Sequence, residues 1–165
     1  MKLAVPGVRW AVEGGFWPTT AGQSAAARGV LCRLVGEEAA VAHNAEGAPF
    51  LPARPGLHVS ISHCSRAVAV AVSHKGPVGI DVECRRGVGE DLMRRVCSED
   101  ELSAVLASAD STMAFLQLWT RKEAVLKMRG TGIKGFGSLV GALAAGDAVA
   151  DVPCGLPDVV CALAW

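Results

Sequence analysis

Three short stretches carry side chains able to do chemistry together. In Val78-Gly79-Ile80-Asp81-Val82-Glu83 two carboxylates stand two residues apart in an apolar, β-branched run. Residues two apart on a strand share a face, so Asp81 and Glu83 project together, roughly 6.5–7 Å apart along the strand. Carboxylates so placed repel unless a cation or base neutralises them, and their oxygens suit magnesium, which commonly takes carboxylates with substrate phosphates and water. A surface strand with an acidic polar face would show the same pattern. About forty residues on, Glu123 and Lys127 lie four apart, with Trp119 one turn earlier and Lys122 alongside. On a helix they are neighbours: either an ordinary surface pair contributing ~0.2–0.5 kcal/mol, or a third metal ligand and a phosphate contact. Ser60-Ile61-Ser62-His63 adds hydroxyls and an imidazole within reach of a phosphate. A lone histidine at a strand end is more often structural. Glu101 closes the S-x-x-E capping box of Ser98-Glu99-Asp100-Glu101, which explains it without chemistry.

The elements that must position these residues are legible in outline. Val8 to Val12 reads as a strand, and Ala21 to Gly36 as a helix ended by glycine. A loop rich in glycine and proline leads to Leu57-His58-Val59-Ser60-Ile61, which alternates like a half-buried strand. Ala67 to Ser73 alternates alanine and valine, and His74-Lys75-Gly76-Pro77 separates it from Val78 to Glu83, so the two are expected to pair as a β-hairpin. The capping box opens a helix through about Ala107, and a second runs from about Ser111 to Arg129, stopped by Gly130, Gly132 and Gly135. Phe115, Leu118, Trp119 and Leu126 give that helix its apolar face. Asp158 to Trp165 looks like a closing strand. The order of elements predicts an α+β fold.

Composition narrows the function. With 51% hydrophobic residues in 165, the chain can bury enough apolar surface to fold. The 16 basic and 16 acidic residues cancel, so bulk charge gives no reason to propose nucleic acid or an anionic membrane as partner. Nine of the 16 basic residues fall between Arg85 and Lys134, where an anionic ligand would be met unless these are ordinary solvated helix faces. The six cysteines form no C-x-x-C pair or zinc spacing and read as small apolar residues. Pro6 and Arg9 interrupt the N-terminus before an apolar signal core forms, and no stretch approaches the ~20 apolar residues of a membrane span. A cytoplasmic protein with reduced thiols is expected.

Taken together, Gly79-Ile80-Asp81-Val82-Glu83 (G-I-D-x-E), Trp119 to Lys127 (W-x-x-K-E-A-x-x-K), the glycine turn after it, and Ser60 to His63 resemble the 4'-phosphopantetheinyl transferase family. The mid-chain position of Asp81 is similar to the branch that activates surfactin synthetase and other peptide or polyketide synthases, rather than to the short, trimeric holo-acyl-carrier-protein synthases. The resemblance implies two similar α/β halves, each an antiparallel sheet with a packed helix, forming a pseudo-dimer within one monomeric chain. Residues 1–75 would be the coenzyme A-binding half and 76–165 the half with the metal motifs. It implies transfer of phosphopantetheine from coenzyme A to a serine of an acyl or peptidyl carrier protein, releasing adenosine 3',5'-bisphosphate. Asp81, Glu83 and Glu123 would hold Mg2+, or Mn2+ in its place; Ser62, His63, Lys122 and Lys127 would contact coenzyme A; Glu123, Lys127 and secondarily Glu101 would act in catalysis. A magnesium-dependent nucleotide pyrophosphate hydrolase, or a module that binds coenzyme A or a carrier protein without turnover, is the alternative. The chain departs from the family where Gly47-Ala48-Pro49 replaces the usual G-K-P. With few basic residues near the N-terminus, Arg9, Arg28, Arg33 and Arg54 are the candidates to bind the coenzyme A 3'-phosphate, and little binding energy is expected from it.

Overall fold

In the computed structural model, which describes residues 3–131 and 137–165, the chain runs through β1 (Val8–Gly14), α1 (Thr20–Val35), β2 (Ala42–His43), β3 (Pro49–Phe50), β4 (His58–Cys64), β5 (Ala67–Ser73) and β6 (Gly79–Cys84). It continues through α2 (Glu90–Val96), α3 (Glu99–Ala107), α4 (Ser111–Met128), α5 (Gly137–Val140), β7 (Val149–Asp151) and β8 (Val159–Ala164). The strands form two antiparallel sheets, ordered β1-β5-β4-β3-β2 and β6-β8-β7, so the α+β expectation holds. α1 begins at Thr19, whose hydroxyl accepts from the Gly22 amide, and ends at Gly36 with φ 82°, a left-handed cap that glycine adopts without steric cost. α3 carries the full capping box: Ser98 Oγ accepts from the Glu101 amide and Glu101 accepts from the Ser98 amide. Gly130, with φ 67°, follows α4 as expected, while Gly132 and Gly135 lie outside the described residues. Sequence reasoning missed α2, the short α5 and the short β2, β3 and β7.

The hairpin expected between Ala67–Ser73 and Val78–Glu83 does not form. Both edges of β5 are already taken, by β1 from Val8↔Ser73 to Gly14↔Ala67 and by β4 from His58↔Ser73 to Cys64↔Ala67. β6 therefore pairs with β8 in the other sheet, and the tight hairpin joins β4 to β5 through Ser65 and Arg66. The Ala/Val alternation of β5 reflects two buried faces. Val68, Val70 and Val72 pack with Leu31 and Val30 of α1, while Ala67, Ala69 and Ala71 meet Ile80, Val82 and Leu163 of the second sheet. Beyond that sheet, Ala162 and Ala164 pack against Ala124 and Val125 of α4. The layers are thus α1, first sheet, second sheet and α4.

The cysteines need correction. Cys64 and Cys84 form a disulfide, because the ends of β4 and β6 come together with their Cα atoms 6.2 Å apart, within bridging range. Cys97 and Cys161 are buried free thiols, as small apolar residues would be, and Cys32 and Cys154 are half-buried.

Candidate functional site

Strand periodicity decides what β6 offers to α4. Ile80 and Val82 point into the core between the sheets, so Gly79, Asp81 and Glu83 share the face toward α4. Gly79 lies so close to α4 that a Cβ there would overlap the Ala124 carbonyl oxygen, and glycine is what lets helix and strand approach. Opposite Asp81 in the ladder is Ala162, which leaves room beside the carboxylate. One turn apart on α4, Glu123 and Lys127 face this strand. Lys127 Nζ donates to Asp81 Oδ1 at 2.7 Å and to the Ile80 carbonyl at 3.1 Å. Ser62 Oγ donates to the same Asp81 Oδ1 at 2.8 Å.

That leaves Asp81 Oδ2 and Glu123 Oε1 buried with no hydrogen-bond partner. Asp81 is 6% exposed and Glu123 7%, so water offers little relief, and an unsatisfied buried polar group costs about 1–3 kcal/mol, more when charged. Burial, then the Asp81 charge, raises the Glu123 carboxyl to about 7, with Lys127 opposing. Burial and the Asp81 charge also raise Glu83, against Arg86 and Lys127. Glu83 has turned to Arg86, 3.4 Å away, whose guanidinium also lies 5.9 Å over the Trp119 ring. Accordingly, among the described residues no three carboxylate, imidazole or thiol side chains converge into a finished metal cage. Two orphaned, mutually repelling carboxylate oxygens are nevertheless what a hard divalent cation with oxygen ligands would satisfy.

Ser60 and Ser62 link the sheets. Ser60 Oγ accepts from the Ile80 amide at 3.0 Å, and Ser62 Oγ accepts from the Val82 amide at 3.3 Å besides donating to Asp81. His63 Nδ1 lies 2.9 Å from Gln23 Oε1; because Gln23 Nε2 donates to the Trp17 carbonyl, that oxygen accepts and Nδ1 carries the hydrogen. His63 Nε2 then faces Ser24 Oγ at 3.5 Å, in a cavity of about 190 Å³ lined also by Arg28 and His43. A second cavity, of about 170 Å³, runs past Ala48, Ser60, Lys127 and Gly130. Sequence reasoning missed Ser24 and His43, which no motif marks, and left Arg28 as one of four. Arg33 is paired with Glu13 and Arg54 with Glu37.

Lys122 and Glu101 stand apart as a pair. Lys122 is 0% exposed, and its ammonium donates to the Val96 carbonyl at 2.8 Å and to Glu101 Oε2 at 2.6 Å. The same Glu101 oxygen completes the capping box, so one carboxylate ties α3, α4 and the end of α2 together. The basic cluster is largely neutralised: Arg85 pairs with Asp110, Arg94 with Glu90, Arg121 with Asp151 and Arg129 with Asp147. Lys134 lies outside the described residues.

Residues 77–146 match the family model described as the 4'-phosphopantetheinyl transferase superfamily. The matched stretch starts just before β6 and contains Asp81, Glu83, Glu101, Lys122, Glu123 and Lys127. The chain is 37% identical over 89 residues to a 4'-phosphopantetheinyl transferase of Bacillus subtilis, across 53% of this chain and 39% of that protein. It is 31% identical over 109 residues to 4'-phosphopantetheinyl transferase AcpT of Salmonella typhi, across 64% and 57% respectively. With 4'-phosphopantetheinyl transferase HetI of Nostoc sp. it shares 30% over 132 residues, 72% of this chain and 56% of that protein. The chain thus spans between 39% and 57% of the length of these curated relatives. The resemblance read from the motifs holds.

Proposed function

We propose that this chain transfers the 4'-phosphopantetheine arm of coenzyme A to a serine of an acyl or peptidyl carrier protein, releasing adenosine 3',5'-bisphosphate. The reading is carried by Asp81 and Glu123, each with a buried carboxylate oxygen left unpartnered, within the stretch similar to the transferases. Asp81 and Glu123 would hold magnesium or manganese, with Glu83 joining by turning from Arg86, and the bound ion would supply charge stabilisation at the phosphates. Lys127 and His63 contact phosphate oxygens, Lys127 by sharing its three donors between Asp81 and the ligand. Glu123 accepts the proton of the carrier serine, directly or through a water. The serine oxygen bonds to the phosphorus that bears pantetheine, and the bond from that phosphorus to the bridging oxygen breaks.

Lys122 is enclosed and Glu101 is held by it, so both act by positioning α4 rather than by touching substrate. The cavity with Arg28, His43, Ser24 and His63 receives the 3'-phosphate, Arg28 replacing the lysine absent at Ala48. Two pseudo-symmetric halves, 1–75 and 76–165, are supported by the way each opens on a strand, closes on strands and packs a helix on its own sheet, α1 in the first and α4, one of four described helices between β6 and β7, in the second. A cytoplasmic monomer fits a reaction between coenzyme A and a carrier protein. Among the described residues no helix is long and apolar enough to cross a membrane. Mass spectrometry of an apo carrier protein incubated with the chain, coenzyme A and magnesium tests the proposal through the added phosphopantetheine mass. Release of adenosine 3',5'-bisphosphate without carrier protein would favour hydrolysis instead.

A further inference from the structure

β4 and β6 belong to different sheets and share no main-chain ladder, yet they lie side by side through a repeating set of links. The Ile80 amide bonds Ser60 Oγ, the Val82 amide bonds Ser62 Oγ, and two residues further Cys64 and Cys84 are joined as a disulfide. The separation is 20 residues each time, so sulfur forms the third rung of a ladder whose first two rungs are hydroxyls. The rungs differ in access: Ser60 and Ser62 are buried, whereas Cys64 and Cys84 are half-buried, so a thiol in solution reaches only the third. That rung is next to residues already described. Cys64 follows His63 on the first sheet, and Cys84 follows Glu83 on the second.

We infer that the Cys64–Cys84 disulfide is a redox-sensitive clasp that fixes the spacing between His63 and Glu83, and that its reduction weakens binding of a ligand spanning both sheets. This rests on the reading of the cleft as a site for coenzyme A with a divalent cation. A dithiol reductant supplies two electrons and two protons; the sulfur–sulfur bond breaks, Cys64 and Cys84 become thiols, and the dithiol closes into its own disulfide. Once the clasp opens, Asp81 keeps Ser62 and Lys127, and Glu83 stays in the ladder with β8, opposite Val160. What is lost is the link between the two sheets at the His63 end, so the ligand must bear the cost of ordering that gap.

The test measures binding of acetyl-coenzyme A, whose blocked thiol cannot exchange with the bridge, by calorimetry in magnesium chloride. Wild type is compared before and after dithiothreitol, alongside Cys64→Ser and Cys84→Ser. Maleimide labelling of the denatured protein should report four free cysteines before reduction and six after. Affinity should fall about five- to twentyfold on reduction of wild type, and both variants should bind weakly whether or not dithiothreitol is present. Equal affinity of oxidised and reduced wild type, or six reactive thiols before reduction, overturns the clasp and leaves the coenzyme A reading intact. No binding by either form overturns both.

Discussion

Lys127 reaches across from α4 to lie 2.7 Å from Asp81 Oδ1, making the lysine expected at a phosphate the immediate counter-ion of an expected metal ligand. The contact neutralises the Asp81 charge, as Arg86 does that of Glu83, and fastens the helix to the strand. Asp81 is 8% exposed in its side chain and Lys127 30%, so the pair is only partly screened by water.

Replacing Lys127 by methionine should therefore lower the unfolding free energy of the metal-free protein by about 1–3 kcal/mol, less than for a fully buried pair because the lysine is partly solvated. Magnesium should raise the melting temperature of Lys127→Met more than that of wild type, since the variant has lost its resident cation. Thermal melts with and without magnesium measure both effects.

Asp81→Asn and Glu123→Gln keep shape and remove charge from a cluster whose members repel. Both proteins should remain folded by circular dichroism, and transfer to a carrier protein should drop at least about a hundredfold, the scale of losing a cation's charge stabilisation. Near-normal turnover in either would falsify the metal site.

The Glu123 carboxyl, held at about 7 by burial and the Asp81 charge, gives a pH signature. Its folded pKa lies above the unfolded value near 4.5, so between these values the native state binds more protons and stability falls as pH rises. Glu83 shifts in the same direction. The metal-free protein should lose on the order of 3 kcal/mol from this group between about pH 4.5 and pH 7. Glu123→Gln should flatten that part of the profile, and so should saturating magnesium. Urea unfolding across pH 4 to 8 reads it directly.

Glu101→Gln separates the cap from the ion pair. Glutamine can still accept from the Ser98 amide, but it leaves the fully enclosed Lys122 ammonium without its counter-charge. The melting temperature should drop by several degrees, corresponding to about 2–4 kcal/mol, while KM for coenzyme A stays within about twofold because neither residue faces the ligand cavities. A large rise in KM at unchanged melting temperature would return Glu101 to the reaction.

The cavity beside His63 changes the expectation for the 3'-phosphate. From the missing lysine at position 48 the sequence suggests little discrimination against dephospho-coenzyme A; Arg28 and His43 on the cavity wall imply a charge-assisted contact of roughly 1.5–3 kcal/mol. Wild type should prefer coenzyme A by about 10- to 150-fold in kcat/KM, and Arg28→Ala should bring the ratio near unity. Side-by-side kinetics with the two substrates and one carrier protein settle the point.

The sequence by itself determined the local facts. The capping box at Ser98, the glycine ends of α1 and α4, the shared face of Asp81 and Glu83, and the one-turn spacing of Glu123 and Lys127 all follow from periods of two and 3.6 and from backbone rules acting within a few residues. Tertiary structure decided everything that depends on which strand lies beside which. The alternation in β5 was legible but not its partners, because alanine and valine faces suit two buried sides as well as a hairpin, and only the placement of β1 and β4 closes both its edges. The same holds for the long-range contacts in and around the candidate site. Lys127 on Asp81, Lys122 on Glu101, Arg28 beside His63 and Cys64 on Cys84 join residues 20 to 46 positions apart. No local periodicity encodes such pairs; they arise when the alanines of β5 let the two sheets pack closely and Gly79 lets α4 approach β6, bringing separate segments together.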